Sequence, residues 1–211
     1  MERWATFDCY GTLIDWNSGI RAVLARVFGE ERADEQLERY HDAEPALEAD
    51  GTRTYREVMT DAMLELGASE DQAGELAASL PYWRPFPEVR DALTEARGRG
   101  WKLAILSNTD RDFIEASMER IGVPFELAIV ASEIGSYKPA HAHWLRFFDE
   151  THAPRDHHVH VAQSHVHDIV PATQLGLKTI WINRRGETGD PRPTRELPDL
   201  ARLPDILDEL I

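Results

Sequence analysis

The chain lacks what several protein classes require. A single cysteine, Cys9, stands among 211 residues, so no internal disulfide forms and stability has to come from a hydrophobic core. No apolar run approaches the ~18 residues of a membrane span, and the first residues show no basic, apolar and small-residue leader pattern. Positive charge is scarce: 23 Lys and Arg against 38 Asp and Glu leave a formal charge of -15. That surplus repels nucleic-acid phosphates and anionic membrane surfaces, so neither is an expected partner. Internal repeats and low-complexity tracts are missing as well. The expectation is a cytoplasmic protein that meets a small molecule.

What the sequence does contain is a regular alternation. Residues 103–106, 127–131, 159–162 and 179–182 are short apolar runs bounded by polar or turn residues, the signature of buried parallel strands. Between them lie helical patterns, such as Phe113, Ile114, Ser117, Met118 and Ile121, stopped by Gly122 and Pro124. Strand and helix in turn predict an α/β fold, a doubly wound parallel sheet with right-handed crossovers. Residues 16–81 differ. They show helical periodicity in Ile20, Val23, Leu24 and Val27, then in Val58, Ala62, Leu64 and Leu66, with no convincing strand. The spacing predicts a helical insertion at 16–81 following the first strand, with 1–15 and 82–211 forming the α/β core. Pro81, Pro85 and Pro87 mark the return. Residues 30–75 hold 15 acids against four bases, read as the solvated faces of helices. The stretch 186–204, with Pro191, Pro193, Pro198 and Pro204, reads as a surface meander before a short helix at 206–210.

Four polar signals follow strand-like segments: Asp8, Ser107 with Asn108, Lys138, and Asp168. In a doubly wound sheet, ligands bind beyond the carboxyl ends of the strands, where these four would meet. Their types are complementary. A carboxylate can attack an electrophilic centre, a lysine can hold it ionised, a helix-opening Ser-Asn pair can bind an anion, and a second carboxylate can orient the lysine or a water. Each alone also has a plain structural reading: Asp8 as a turn residue, Ser107-Asn108 and Asp168 as helix caps, Lys138 as a loop lysine.

The ordered set Phe7-Asp8-Cys9-Tyr10-Gly11-Thr12, Ser107-Asn108, Lys138-Pro139 and Gln163-Ser164-His165-Val166-His167-Asp168 resembles the four motifs of the haloacid dehalogenase superfamily over nearly the whole chain. The resemblance implies a Rossmann-like core with a helical cap inserted after the first strand. It also implies Asp8 as nucleophile, with Thr12, Ser107, Lys138 and Asp168 completing the catalytic set. Phosphatases of the superfamily place a second Asp two residues after the nucleophile to protonate an alcohol leaving group. Here that residue is Tyr10, and halide leaves without a proton, so the chain resembles the L-2-haloacid dehalogenase branch. By that resemblance it converts short 2-haloalkanoic acids to 2-hydroxy acids through an ester on Asp8, without a metal or other cofactor, and a homodimer is reasonable. The alternative is a magnesium-dependent phosphatase working through an aspartyl-phosphate. Ser164 and His165 stand where phosphatases carry further acids, which leaves a hard cation short of oxygen ligands.

The resemblance also implies substrate contacts at Tyr10, Arg39, Asn108, Trp144 and Ser164. Arg39 lies 31 residues after Asp8, where the dehalogenases carry an arginine for the substrate carboxylate and the departing halide, although the tryptophan usual just before it is Glu38 here. Trp144 takes the place of a tyrosine, and Gln163-Ser164-His165 replaces a Ser-x-Asn pattern. Among nine histidines, His158 and His160 share one face of a strand with His157 on the other, so no zinc shell is predicted. Cys9 reads as a small buried filler.

Overall fold

The apolar runs assemble into one six-stranded sheet in which every neighbouring pair is parallel. The computed structural model describes residues 2–49 and 51–211; Met1 and Asp50, which fall within the expected core and cap segments, lie outside the described residues. The strands are β1 (Arg3–Phe7), β2 (Trp101–Ser107), β3 (Leu127–Val130), β4 (His158–Ala162), β5 (Lys178–Ile182) and β6 (Arg195–Leu197), ordered β3-β2-β1-β4-β5-β6. The chain winds outward from β1 to β3, then returns to place β4 on the other side of β1. This reversal splits the connecting loops apart and opens a crevice beyond the strand ends. Phe7 pairs with Ile105 on one side and Val161 on the other, so the residues that follow β1, β2 and β4 emerge together there.

Alternation along the strands divides the core into two layers. Ala5, Phe7, Leu103, Ile105, Val159 and Val161 face one cluster, which continues into the helices of the insertion. Trp4, Ala104 and Leu106 face the other, with Trp144 and Phe147 of the helix Ala142–Thr151. Thr6, His158 and His160 lie on this second side, fully buried; the His160 ring meets Trp144 edge-on at 5.1 Å and the His158 ring meets Phe147 at the same separation.

Between β1 and β2 the described chain is helical: α1 (Trp16–Phe28), α2 (Ala33–Glu48), α3 (Tyr55–Glu65) and shorter turns to Tyr82. Asp15 caps α1 by accepting the Ser18 N–H, and Ile20, Val23 and Leu24 form its buried face. Thr54 and Glu57 form a capping box on α3. Asp110, from the loop after β2, accepts the Tyr55 and Arg56 N–H groups at 3.0 Å each, so a core carboxylate sits at the positive end of α3. The two passages joining the helices to the sheet run side by side, with Asp15 N–H donating to Arg84 O at 2.9 Å and Phe86 N–H to Leu13 O at 3.0 Å.

Two expectations need correction. Leu64 is 42% exposed; the inward face of α3 is instead Tyr55, Val58, Met59, Ala62 and Met63. The stretch 186–204 holds the strand β6, whose Leu197 pairs with Ile182. Its three residues bury only Leu197, too brief an alternation to show in the sequence. The terminal helix spans Leu203–Leu210.

Candidate active site

The turn after β1 is built to present Asp8. Cys9 O accepts both the Leu13 and Ile14 N–H groups, folding residues 9–14 into a tight loop. Gly11 sits at its apex with φ 86°, in the left-handed region, and a Cβ there would meet Trp16 Nε1 at 2.9 Å and Gln163 Oε1 at 3.0 Å. Glycine is required on both counts. Asp8 is left at the strand end, 7% exposed. Cys9 is fully buried and unpaired, and burial pushes its thiol well above the usual range, which suits a packing role.

Lys138 is the centre of the arrangement. Its Nζ donates to Asp8 Oδ1 at 2.9 Å, Asp168 Oδ1 at 2.7 Å and Leu106 O at 2.9 Å. An ammonium has three protons, and all three are used. Burial disfavours the charge, but Asp168 and Asp8 outweigh it and raise the Lys138 ammonium above its ordinary range. Asp168 is pulled down to about 2, with Lys138 and His160 overcoming the effect of burial. For Asp8 burial wins and its carboxyl lies above the ordinary aspartate value, with Lys138 and the Thr12 hydroxyl opposing the rise. Thr12 Oγ1 donates to Asp8 Oδ2 at 2.8 Å and accepts the Gln163 N–H at 2.8 Å, linking the first and last loops. Asn108 fastens Lys138 by its backbone: its Oδ1 accepts the Lys138 N–H at 2.7 Å and its Nδ2 donates to Lys138 O at 3.0 Å.

Behind Asp168 runs a chain of hydrogen bonds through β1 and β4. His160 Nε2 lies 3.0 Å from Asp168 Oδ1, Thr6 Oγ1 lies 2.8 Å from His160 Nδ1, and His158 Nε2 lies 2.8 Å from the same hydroxyl. A carboxylate only accepts, so the His160 proton sits on Nε2; its Nδ1 then accepts the Thr6 O–H, and Thr6 accepts from His158. Burial drives the His158 imidazolium well below its usual range, in keeping with a neutral ring. Sequence reading placed these histidines on one strand face without a role. The missed signal was Thr6, on the adjacent strand at matching height.

A cavity of about 300 Å³ opens over these groups, lined among others by Asp8, Tyr10, Ser107, Asn108, Lys138, Ser164 and Asp168. Ser107 Oγ and Asp168 Oδ2 are buried without a hydrogen-bond partner. Ser164 caps the wide π-type turn His165–Ile169 by accepting the His167 N–H, which aims Asp168 at Lys138. Tyr10 hydrogen-bonds Ser117 through its hydroxyl at 3.1 Å and stacks on Tyr55, centroids 6.2 Å apart. Two expected residues stand elsewhere. Arg39 is exposed and donates to Gln36 Oε1 and Glu65 O, facing away from the cavity. Trp144 is fully buried in the second core layer under the sheet. In place of Arg39 the insertion contributes Glu44, Glu48 and Tyr55, with Trp16 and His41, none of the acids anticipated from sequence.

The donor set does not fit magnesium. Asp168 Oδ1 is engaged by Lys138 and His160, Lys138 occupies the space between the two aspartates, and no further carboxylate stands in the Ser164-His165 loop. Among the described residues no group of three or more His, Cys, Asp or Glu side chains could hold a metal ion. No helix among them is long and apolar enough to cross a membrane.

A doubly wound sheet that gathers acid, lysine and acid at its topological switch point, with helices inserted after the first strand, defines a class of Rossmann-like hydrolases. The chain belongs to the haloacid dehalogenase-like hydrolase family, whose sequence model matches residues 5–182. It is 29% identical to the haloacetate dehalogenase H-2 of Moraxella sp. (strain B), over 95% of this chain and 90% of that one. It is 27% identical to an (S)-2-haloacid dehalogenase of Pseudomonas putida, over 95% and 96% of the two chains. The fold matches the L-2-haloacid dehalogenase of Xanthobacter autotrophicus with chloropropionic acid covalently bound, at a TM-score of 0.86, 20% identity and full coverage of both chains.

Proposed function

We propose that the chain hydrolyses short 2-haloalkanoic acids to 2-hydroxy acids, with Asp8 as the nucleophile. The observation that carries this reading is the setting of Asp8, held by Lys138 and Thr12 at the floor of a cavity whose neighbouring position two residues on is Tyr10 rather than an acid. The activities of the relatives support it. Asp8 attacks C2, the carbon-halogen bond breaks with inversion, and the electron pair leaves with the halide, giving an ester. Water then adds to the Asp8 carboxyl carbon, the ester bond to the substrate breaks, and the 2-hydroxy acid departs with an oxygen from Asp8.

Each neighbour has a part in this scheme. Lys138 and Thr12 hold Asp8 as the carboxylate and offset charge that builds on it during ester hydrolysis. The free Oδ2 of Asp168 accepts a proton of the attacking water, while its Oδ1 stays bound to Lys138. Ser107 Oγ and Asn108, together with Ser164 and Tyr10, meet the substrate. Residues 16–81 serve as a cap over the α/β core of 1–15 and 82–211, hinged at the paired passages 13–15 and 84–86.

The test is a halide-release screen over fluoro-, chloro- and bromo-acids of both hands, without metal, beside an aryl phosphate with magnesium. Halide release that survives a chelator and disappears in Asp8→Asn is expected. Magnesium-dependent phosphate release with no halide from 2-chloropropionate would reverse the reading.

A further inference from the structure

The cap side of the cavity carries two acids that form no ion pair among the described residues. Glu44 and Glu48 lie one turn apart on α2, and both line the cavity over Asp8. Glu44 Oε1 accepts the hydroxyls of Tyr40 at 3.0 Å and Tyr55 at 2.7 Å, and Glu48 Oε2 accepts Asn108 Nδ2 at 3.2 Å. These bonds fix both carboxyls by one oxygen each. Like charges at this spacing repel, and burial adds to the cost. Neither carboxyl has an ion-pair partner among the described residues: the charge of Lys138 acts to lower Glu48, but its three protons are spent on Asp8, Asp168 and Leu106 O, Arg39 is bound to Gln36, and Arg185, which also lines the cavity, is paired with Glu187.

Burial holds Glu44 up to about 7, and burial with the charge of Glu44 holds Glu48 up to about 9. Such acids gain most when a positive ligand brings the missing charge. Tyr10, Tyr55 and Trp16 complete the wall, Tyr10 and Tyr55 stacked on each other and Trp16 packed 5.1 Å from His41. Independently of the acids, Ser107 Oγ is 1% exposed, lines the same cavity and has no partner, so the space still lacks a hydrogen-bonding group that a ligand would supply.

We propose that Glu44 and Glu48 form a subsite for a cationic nitrogen, so that the molecule occupying this cavity carries an ammonium group on the side opposite Asp8. The inference rests on the reading above only in taking the cavity over Asp8 as the substrate's. A 2-haloacid with a basic nitrogen further along its chain would satisfy both ends of the cavity, whereas a simple haloacid leaves the acid pair unmatched.

Calorimetric binding of butylammonium, 4-aminobutyrate and butyrate to the whole protein tests this. The two ammonium probes should bind at least about tenfold tighter than butyrate. That preference should vanish in the double variant Glu44→Gln/Glu48→Gln, in which the amides still accept from Tyr40, Tyr55 and Asn108. Tyr55→Phe, which removes one anchor but neither charge, should keep it. Butyrate binding as well as the ammonium probes, or a preference that survives the double variant, overturns the subsite. Halide release from 2-chloropropionate on the same preparation reports on Asp8 separately: release without ammonium preference removes the subsite alone, and ammonium preference without release removes the proposed dehalogenation alone.

Discussion

Asp168 holds two opposed duties on its two oxygens, and the residues behind it decide whether it can. Its Oδ1 is tied to Lys138 and His160, leaving Oδ2 free. His160 is itself oriented by Thr6, a residue that does not line the cavity. Thr6→Val keeps the shape but removes the hydroxyl, leaving His160 Nδ1 and His158 Nε2 buried without this partner, a cost of ~1–3 kcal/mol in stability. Because the orientation of Asp168 matters most during ester hydrolysis, kcat for a haloacid should fall by about tenfold, equal to ~1.4 kcal/mol in barrier, with KM held and Thr6→Ser restoring the rate. An unchanged kcat in a folded Thr6→Val protein would reduce Thr6 to a packing residue. The same scale explains what sequence could and could not say of single residues. Asp8, Lys138 and Asp168 were legible because each follows a strand, and strand ends fix position. Trp144 was not, because its number counts residues after Lys138 but not on which side of the sheet the helix Ala142–Thr151 lies.

At the scale of elements, α2 carries the main departure from expectation. A helix turns about 100° per residue, so Tyr40, Glu44 and Glu48 share one face while Arg39 points elsewhere. The four-residue spacing was present in the sequence, but a segment so rich in acids reads as solvent-facing, and only the packing of α2 against α3 and the strand ends reveals which stripe is inside. That packing has a thermodynamic signature. Glu44 and Glu48 hold their protons in the folded protein to about 7 and about 9, while an unfolded glutamate releases its proton near 4.5. The folded state therefore binds more protons over this range, and stability falls as pH rises from about 4.5, levelling off above about 9. Glu44 is half-buried and Glu48 buried, and Glu48 is raised further, so the larger share belongs to Glu48. Melting temperatures taken from pH 5 to 9 should decline, and Glu44→Gln/Glu48→Gln should flatten the decline. Parallel slopes for the two proteins would show that these acids are not buried as described.

On the scale of the whole molecule, the sheet order places the ends of β1, β2 and β4 together, and every group proposed to act on the substrate from the core leaves one of these ends or the loop that follows β3. The parallel sheet and the meeting of the four polar signals beyond its strand ends could be read from the alternation of apolar runs and helices, because buried parallel strands are continuous apolar segments; the strand order could not, since the hand of a crossover does not say which strands are neighbours. The edge strand β6 escaped because three residues among prolines, two exposed and one buried, carry no period. In the proposed reaction Asp8 forms a covalent ester and is regenerated by water attacking its own carboxyl carbon. A single turnover of the whole protein with 2-chloropropionate in heavy-oxygen water measures this directly, by mass analysis of the peptide containing Asp8 and of the product. Heavy oxygen is expected in the Asp8 carboxylate and none in the first 2-hydroxy acid released; heavy oxygen in that first product, with Asp8 unlabelled, would rule out the ester on Asp8.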